Sequence, residues 1–489
     1  MSTTESLANH LERPAGRGHM PENAFTGAAG GAACGDLVRV SLTIDPSCPD
    51  GRIFDSGFDA SGCGAAVAAG SAVVSLIRGT PLLDAARLGP RQIEAELGGL
   101  SIAKRHAAEL AADALHRALG GAVRGSAALA PVADRMLVAM SGGVDSAVAA
   151  LLVAREGSQA VGVTLELWSD SENDGEASCC SAQAVRGARE LAHGLGMPHL
   201  SIDLRAEFRA GVVDSWLADH GAGETPNPCV RCNGNVRLDA MLELGERLGS
   251  RTLATGHYAR VAQCAETGGG EVMLRVAADI AKDQSYVLSA LAPESLRRLY
   301  FPLGEMRKAQ VRELAMQAGL PVARKPDSQD LCFLAGTRQG DFLQRHGGPG
   351  VRPGPIVDEQ GVVLGEHRGA HLYTVGQRHG LGIGAPQPLY VLRTDTRANT
   401  VTVGPRAELL CSAMQVRDVT LHRDGGCVDG LKIRSHGRRL ACQLAGGTGA
   451  GRHPRISVEL KEPAERTAPG QFACLYSGDV IVGHGTVAA

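Results

Sequence analysis

The apolar run Met136–Met140 leads through Ser141-Gly142-Gly143-Val144-Asp145-Ser146 into the apolar helical pattern of residues 148–156. Strand-like runs recur at 160–167 (AVGVTLEL), 199–204 (HLSIDL) and 251–256 (RTLATG), with helical spacing between them. Strands that alternate with helices pair in parallel, because each helix returns the chain to the same end of the sheet. The middle of this chain is therefore predicted to be α/β, with its first strand ending on a glycine turn.

That turn suits an anion. Gly142 and Gly143 let the backbone approach a ligand closely. The helix that follows offers unpaired N–H groups and the positive end of its dipole. Ser141 and Ser146 add hydroxyls, and Asp145 suits Mg²⁺ or orientation of a nucleotide. A capped turn with no ligand has the same composition, so the loop acquires meaning only from the motifs around it.

A chain of 489 residues is too long for one ordinary core. Ahead of the turn, Asp36–Asp45 alternates like a strand and residues 52–58 supply a partner. Helical patterns follow at 64–77 and 104–119. The Gly/Ala/Pro-rich stretch after them reads as a linker. Beyond about residue 350 the text shortens to β-like segments such as HLYTVGQ and QVRDVTLH. The predicted boundaries are a front α+β unit over 5–120, a linker over 121–134, and the nucleotide-binding unit over 135–340. A small central unit over 341–408 and a β-barrel-like unit over 409–489 complete the chain.

No stretch of about 18 apolar residues exists to span a membrane, and the first twenty residues lack the apolar run of a secretory signal. The expectation is a cytoplasmic protein with no membrane partner, so its 13 Cys are not a disulfide framework. The net charge of −3 announces no nucleic acid; any such surface must be local. Between Leu431 and Arg455 lie Lys432, Arg434, Arg438, Arg439, Arg452 and Arg455 with no acidic residue. Such a run can hold phosphates or be a solvated basic loop.

Two cysteine texts stand out. Thr225-Pro-Asn-Pro-Cys-Val-Arg-Cys-Asn233 places Cys229 and Cys232 in a Pro-rich turn before a helix, and Cys332 closes Lys325-Pro-Asp-Ser-Gln-Asp-Leu-Cys332. A thiol at a helix start or beside basic groups has a lowered pKa and is a better nucleophile. Three thiolates could instead hold a cluster or Zn²⁺, and buried, inert thiols would read the same way. Cys179-Cys180, after the second strand, is a further pair that could lie near the site or pack under a loop.

SGGVDS resembles the PP-loop of N-type ATP pyrophosphatases, which cleave ATP between the α and β phosphates and adenylate a substrate oxygen. Residues 135–489 as a whole resemble the tRNA-specific 2-thiouridylase family. The texts AMSGGVDS, TPNPCVRCN, LATGHYAR, KDQSYVL, KPDSQDLCF, YTVGQRHGLGIG and PGQ stand in the family's order. By this resemblance, Ala139, Met140, Ser141, Gly142, Gly143, Val144, Asp145 and Ser146 would contact ATP with Mg²⁺. Leu165 and Gly256 would line the nucleotide pocket. Cys332 would carry a persulfide and Cys232 would be the nucleophile that completes sulfur release. Asn227, Pro228 and Cys229 would face the base. His257, Lys282, Asp283, Gln284, Arg434, Ser435 and Gln471 would fall on tRNA-contacting positions. The implied reaction is 2-thiolation of the wobble uridine of tRNAs for Lys, Glu and Gln, with a cysteine desulfurase or another donor supplying sulfur. One position departs from the pattern: many members carry an acidic residue where this chain has Cys229. That departure opens a second route, a [4Fe–4S] cluster on Cys229, Cys232 and Cys332.

Residues 5–120 resemble the NifU/IscU-like iron–sulfur scaffold, which offers three Cys and one Asp to a cluster. Cys34, Asp36 and Cys63 are present, but Ala107 stands after His106 where the third Cys belongs. His106 could substitute, with a cluster or zinc as occupant; a docking module for a desulfurase and a structural relic with inert thiols are the other readings. Two further readings of the whole chain remain: a PP-loop ligase or amidotransferase, and an iron–sulfur carrier with a vestigial PP-loop.

Overall fold

The structure is a computed structural model that describes residues 3–31, 35–170, 181–264, 271–327, 331–334, 336–348, 350–435 and 437–488. The first unit is a three-stranded antiparallel sheet, Phe25–Gly30, Leu37–Ile44 and Ile53–Ser61, paired in chain order. Val38, Val40 and Leu42 alternate into its core, as period-2 spacing requires. The helices Gly64–Ile77 and Arg105–Gly125 cover that face. The first is rich in Gly and Ala, which lets it lie close: a Cβ on Gly70 would stand 2.3 Å from the Phe58 ring.

The second unit holds five parallel strands in the order Leu299–Tyr300, Thr252–Ala254, Arg135–Ala139, Gln159–Glu166 and His199–Asp203. The chain moves outward from Arg135–Ala139 to His199–Asp203, then returns to build the other side. Strand order therefore reverses between Arg135–Ala139 and Thr252–Ala254. Such a reversal opens a crevice beyond the carboxyl ends of the strands, where open α/β sheets bind ligands.

Two β units follow. One is a four-stranded sheet, Val363–His367, Gly354–Val357, Thr400–Gly404 and Tyr390–Asp395. The other is an eight-stranded barrel-like sheet in which Leu410–Leu421 also pairs with Val480–Val487. Its last two strands, Arg260–Cys264 and Glu271–Arg275, come from the nucleotide-binding unit. Arg260 and Arg275 both reach Asp479 across this seam, at 3.1 and 2.5 Å.

The stretch read as a linker is helical as far as Gly125, because the helix that begins at Arg105 runs 21 residues. That helix seals the exposed edge of the parallel sheet. His116 Nδ1 meets the His199 carbonyl at 2.8 Å. Arg117 reaches Glu166 at 3.3 Å, and the fully buried Arg189 reaches Asp113 at 2.8 Å. Gly120 passes so close that a Cβ would stand 2.0 Å from the Ser201 carbonyl oxygen. One apolar core continues from the front sheet through this helix into the parallel sheet. Among the described residues no helix is long and apolar enough to cross a membrane.

Candidate functional site

The glycine turn sits at the strand reversal. Ser146 Oγ lies 3.1 Å from the Ser141 amide, the Ser141 hydroxyl and the Gly143 carbonyl oxygen, which pins the loop in a tight hook. Gly142 has φ +68°, and a Cβ there would stand 3.0 Å from the Ala184 carbonyl oxygen. Gly256, just past the strand across the crevice, is closer still: a Cβ would stand 2.6 Å from the Ser146 amide. Both glycines are needed for backbone to approach backbone. Ala139, Met140, Val144 and Leu165 are buried and shape the loop from beneath.

Charged groups from distant parts of the chain converge on this hook. Lys308 begins the helix Lys308–Gln317, and its ammonium lies 2.7 Å from Asp145 and 2.8 Å from Asp327. Lys282 and Arg312 also hold Asp327, at 2.8 and 2.7 Å. The Tyr258 hydroxyl donates to Asp145 at 2.9 Å, and Lys325 donates to the Gly142 carbonyl at 3.0 Å. Burial pushes the Asp327 carboxyl up, but hydrogen bonds from Lys282 and Lys308 outweigh it and bring it to about 2. Burial, then the Asp145 charge, drives the Tyr258 phenol well above its usual range. Lys282 and Lys325, which stand in separate sequence motifs, thus join Lys308 in one cationic cluster beside the hook.

Cys332 lies five residues beyond Asp327, half-buried on a turn closed by Leu334 N–H to the Leu331 carbonyl at 3.0 Å. Cys229 and Cys232 lie in and just after the short helix Pro228–Arg231. Asn227 caps it, accepting from the Cys229 amide at 3.0 Å, and Asn233 donates to the Cys229 carbonyl at 3.0 Å. The lowered thiol pKa expected at a helix start is not found at Cys229. Burial pushes that thiol up, and Arg237 only partly offsets it. Desolvation thus outweighs what the start of the continuous helical stretch 228–247 contributes.

The tRNA-contact candidates divide. Gln284 is fixed to Tyr258 by two bonds, at 2.8 and 2.9 Å. Asp283 is turned inward, accepting from the Ala277 amide and from the Ser285 amide and hydroxyl. His257 is held by Thr255 at 2.8 Å, and burial lowers its pKa to about 3. Gln471 donates to the Thr225 carbonyl at 2.7 Å, and Arg417 grips Glu224 at 2.8 Å. The barrel thereby fastens the loop that carries Asn227, Pro228 and Cys229. Tyr286 lies beside Asn227 and Cys229 and donates to the Phe472 carbonyl at 2.9 Å. Arg434 is exposed at the rim, next to the half-buried Ser435. Of the basic run, Lys432 faces Asp283 and Arg439 pairs with Asp429, which leaves Arg434, Arg438, Arg452 and Arg455 on the surface.

In the front unit, Asp36, Cys63 and His106 bring three ligand atoms within 4.8 Å of one another. Asp36 Oδ2 lies 3.0 Å from Cys63 Sγ and 2.8 Å from His106 Nε2. His106 Nδ1 faces the Ala103 carbonyl at 3.0 Å, so Nε2 is the nitrogen turned to the site, the usual support of a metal-bound imidazole. Hydrogen bonds from the Cys63 thiol, then its amide and His106, lower the Asp36 carboxyl against burial. Mixed O, S and N donors suit Zn²⁺. Among the described residues this is the only set so close; the thiols of Cys229, Cys232 and Cys332 are not all within 4.8 Å of one another, a spacing for a single ion rather than a cluster. Cys34, Cys179 and Cys180 lie outside the described residues.

A glycine hook at the reversal point of a parallel sheet, walled by cations, defines a nucleotide-using enzyme of the PP-loop kind. Family models match along the chain in order. They are a NifU-like N terminal domain over residues 2–122, a tRNA methyl transferase HUP domain over 134–336, a tRNA methyl transferase PRC-barrel domain over 340–405, and an aminomethyltransferase beta-barrel domain over 429–487. A bifunctional protein NifU/MnmA of Rubrobacter xylanophilus is 43% identical over 99% of this chain and 98% of its own length. The tRNA-specific 2-thiouridylases MnmA of Xanthobacter autotrophicus and Thermobifida fusca are 44% and 43% identical. They match 73% and 72% of this chain, and 93% and 95% of their own lengths. The chain belongs to the tRNA-specific 2-thiouridylase family, and so to the tRNA-uridine sulfurtransferases, in the form that carries a NifU-like domain at its front.

Proposed function

We propose that this chain replaces the O2 oxygen of the wobble uridine, position 34 of tRNA, with sulfur in the cytoplasm. The uridine O2 attacks the α-phosphorus of ATP·Mg²⁺, and pyrophosphate leaves. The outer sulfur of a persulfide on Cys332 attacks C2, and AMP leaves. The Cys232 thiolate then attacks Cys332 Sγ and breaks the S–S bond. The thiocarbonyl stays on the base, and a disulfide between Cys232 and Cys332 awaits a thiol reductant. The base must leave its stack to be reached.

One observation carries this reading. Lys308 joins Asp145 of the hook to Asp327 of the segment that leads to Cys332, at 2.7 and 2.8 Å. Ser141, Gly142, Gly143, Ser146 and Lys325 would hold the phosphates, Gly256 and Leu165 would bound the nucleotide, and Asp145 would orient Mg²⁺. Lys308 and Lys282 stabilise charge that develops on the leaving pyrophosphate. Asn227, Pro228 and Cys229 receive the base, with His257, Gln284 and Gln471 holding the surrounding loops and Arg434 and Ser435 meeting the backbone. The tRNAs are those for Lys, Glu and Gln, and a cysteine desulfurase supplies the sulfur.

Zn²⁺ would be held in the front unit by Asp36, Cys63 and His106, and would there stabilise the thiolate of Cys63. A [4Fe–4S] cluster on Cys229, Cys232 and Cys332 is the second route for sulfur, favoured by a cysteine at 229. Incubation with ATP, a cysteine desulfurase with cysteine, a thiol reductant and unmodified tRNA is expected to give 2-thiouridine, AMP and pyrophosphate. A ligase would give no thionucleoside, and a sulfur carrier no AMP. Four iron atoms per chain after anaerobic purification, lost in Cys229→Ala, would select the cluster route.

A further inference from the structure

The turn that carries Cys332 belongs to no helix or strand among the described residues between Gln317 and Gln339, yet the next residue, Phe333, is 2% exposed. Four rings from three places in the fold surround it, two of them from the continuous helical stretch 205–221. Trp216 stands 5.3 Å away at 74°, Phe342 5.2 Å at 58°, Phe208 6.1 Å at 60° and Trp168 6.4 Å at 69°. These are tilted and edge-on contacts, the geometry that aromatic quadrupoles favour.

The concentration is unusual for this sequence. Aromatics make up 3% of the chain, which has 2 Trp and 8 Phe, and this one socket takes both tryptophans and three phenylalanines. Trp168 follows the strand Gln159–Glu166, Phe208 ends a short helix, Trp216 lies on the helix Asp214–Gly221 and Phe342 on Gln339–Arg345. The rings also contact one another: Trp168 meets Phe342 at 5.9 Å, and Trp216 meets Phe342 at 5.9 Å. The socket is therefore a preformed part of the core into which an irregular segment inserts one side chain.

We infer that Phe333 is the positioning residue of the sulfur carrier: its ring, seated in the Trp168–Phe208–Trp216–Phe342 socket, fixes where the Cys332 thiol can stand. This rests on the reading of Cys332 as the carrier. Among the described residues no helix or strand ladder holds the backbone at Cys332, which leaves the buried Phe333 ring as its anchor. Displacement of a reacting atom by about 1 Å costs on the order of 100-fold in rate. Phe333 touches neither ATP nor base in this scheme. Its loss should spare adenylation and strike sulfur transfer.

Phe333→Ala and Phe333→Leu test this against wild type in three measurements. The first is tRNA-dependent ATP–pyrophosphate exchange, the second is single-turnover thiolation of tRNA, and the third is the iodoacetamide alkylation rate of Cys332, followed on its own peptide by mass spectrometry. Phe333→Ala is expected to keep exchange within about twofold, lose thiolation on the order of 100-fold and alkylate faster. Phe333→Leu, which refills the socket, is expected to recover most of both. Equal loss of exchange and thiolation, or wild-type thiolation with unchanged alkylation, overturns the proposal. If Phe333→Ala does not fold, Phe342→Leu loosens the socket from a residue not adjacent to the thiol. It must shift the same two readouts, and no shift overturns the proposal. Should wild type make no thionucleoside, the broader reading fails, and alkylation alone decides whether Phe333 positions Cys332.

Discussion

Lys308 holds Asp145 by both carboxylate oxygens, at 2.7 and 2.9 Å. The lysine comes from the start of a helix 163 residues beyond the glycine hook. Its side chain is 11% exposed against 32% for Asp145, so the ammonium is the shielded end of the pair. A lysine so placed serves as a fixed positive charge for phosphate oxygens. Lys308→Met should lower ATP–pyrophosphate exchange by about 100-fold or more, while Lys308→Arg keeps a measurable fraction. Exchange by Lys308→Met at the wild-type rate would remove the lysine from the adenylation step.

Asp327 gives the network a pH signature. Its carboxyl lies near 2 in the folded chain against about 3.9 when unfolded. A depressed carboxylate contributes stability above the unfolded value and loses it as pH falls through the folded one. The window is therefore about pH 4 down to about pH 2, and the contribution is about 2 kcal/mol. Denaturant unfolding across that range should show a shallower acid loss for Asp327→Asn than for wild type.

Two glycines should reject a methyl group for different reasons. Gly256→Ala would push against the Ser146 amide, where backbone meets backbone, and should raise the KM for ATP as well as lower the melting temperature. Gly120→Ala would ordinarily help a helix by up to about 1 kcal/mol. Here the Ser201 carbonyl stands in the way, and the overpacking cost of about 1–3 kcal/mol wins. Calorimetry should find Gly120→Ala less stable, with the front unit loosened from the sheet edge.

The front site should take one zinc per chain. Binding needs Cys63 as a thiolate and a free Nε2 on His106, so affinity should rise with pH. His106→Ala should weaken zinc by on the order of 100-fold or more, measured by competition with a chromogenic chelator. Unchanged affinity would mean that the metal lies elsewhere.

The glycine hook was legible because SGGVDS is local and lies between a strand and a helix. The strand at 37–44 and the helix at 64–77 were legible because their periodicity is undisturbed. Lys308 was not, because a lysine at the start of an amphipathic helix looks like any surface lysine until folding sets it against Asp145. Asp283 and Gln284 sit in one motif with Lys282, yet one turns into the core and the other clamps Tyr258; sequence order does not encode which way each faces. The hairpin Arg260–Arg275 looked like part of the nucleotide-binding unit, and only strand pairing with Val480–Val487 joins it to the barrel. The docking helix overran the expected linker because small residues that read as flexible also let a helix lie against a sheet edge.

The central claim is that sulfur reaches an ATP-activated uridine from Cys332. The most direct test follows AMP, pyrophosphate and 2-thiouridine in a single turnover of unmodified tRNA with ATP and a cysteine desulfurase charged with cysteine, for wild type and Cys332→Ser. Wild type should give all three products. Cys332→Ser should release pyrophosphate and accumulate adenylated tRNA without thionucleoside. Thiolation by Cys332→Ser at the wild-type rate would contradict the account.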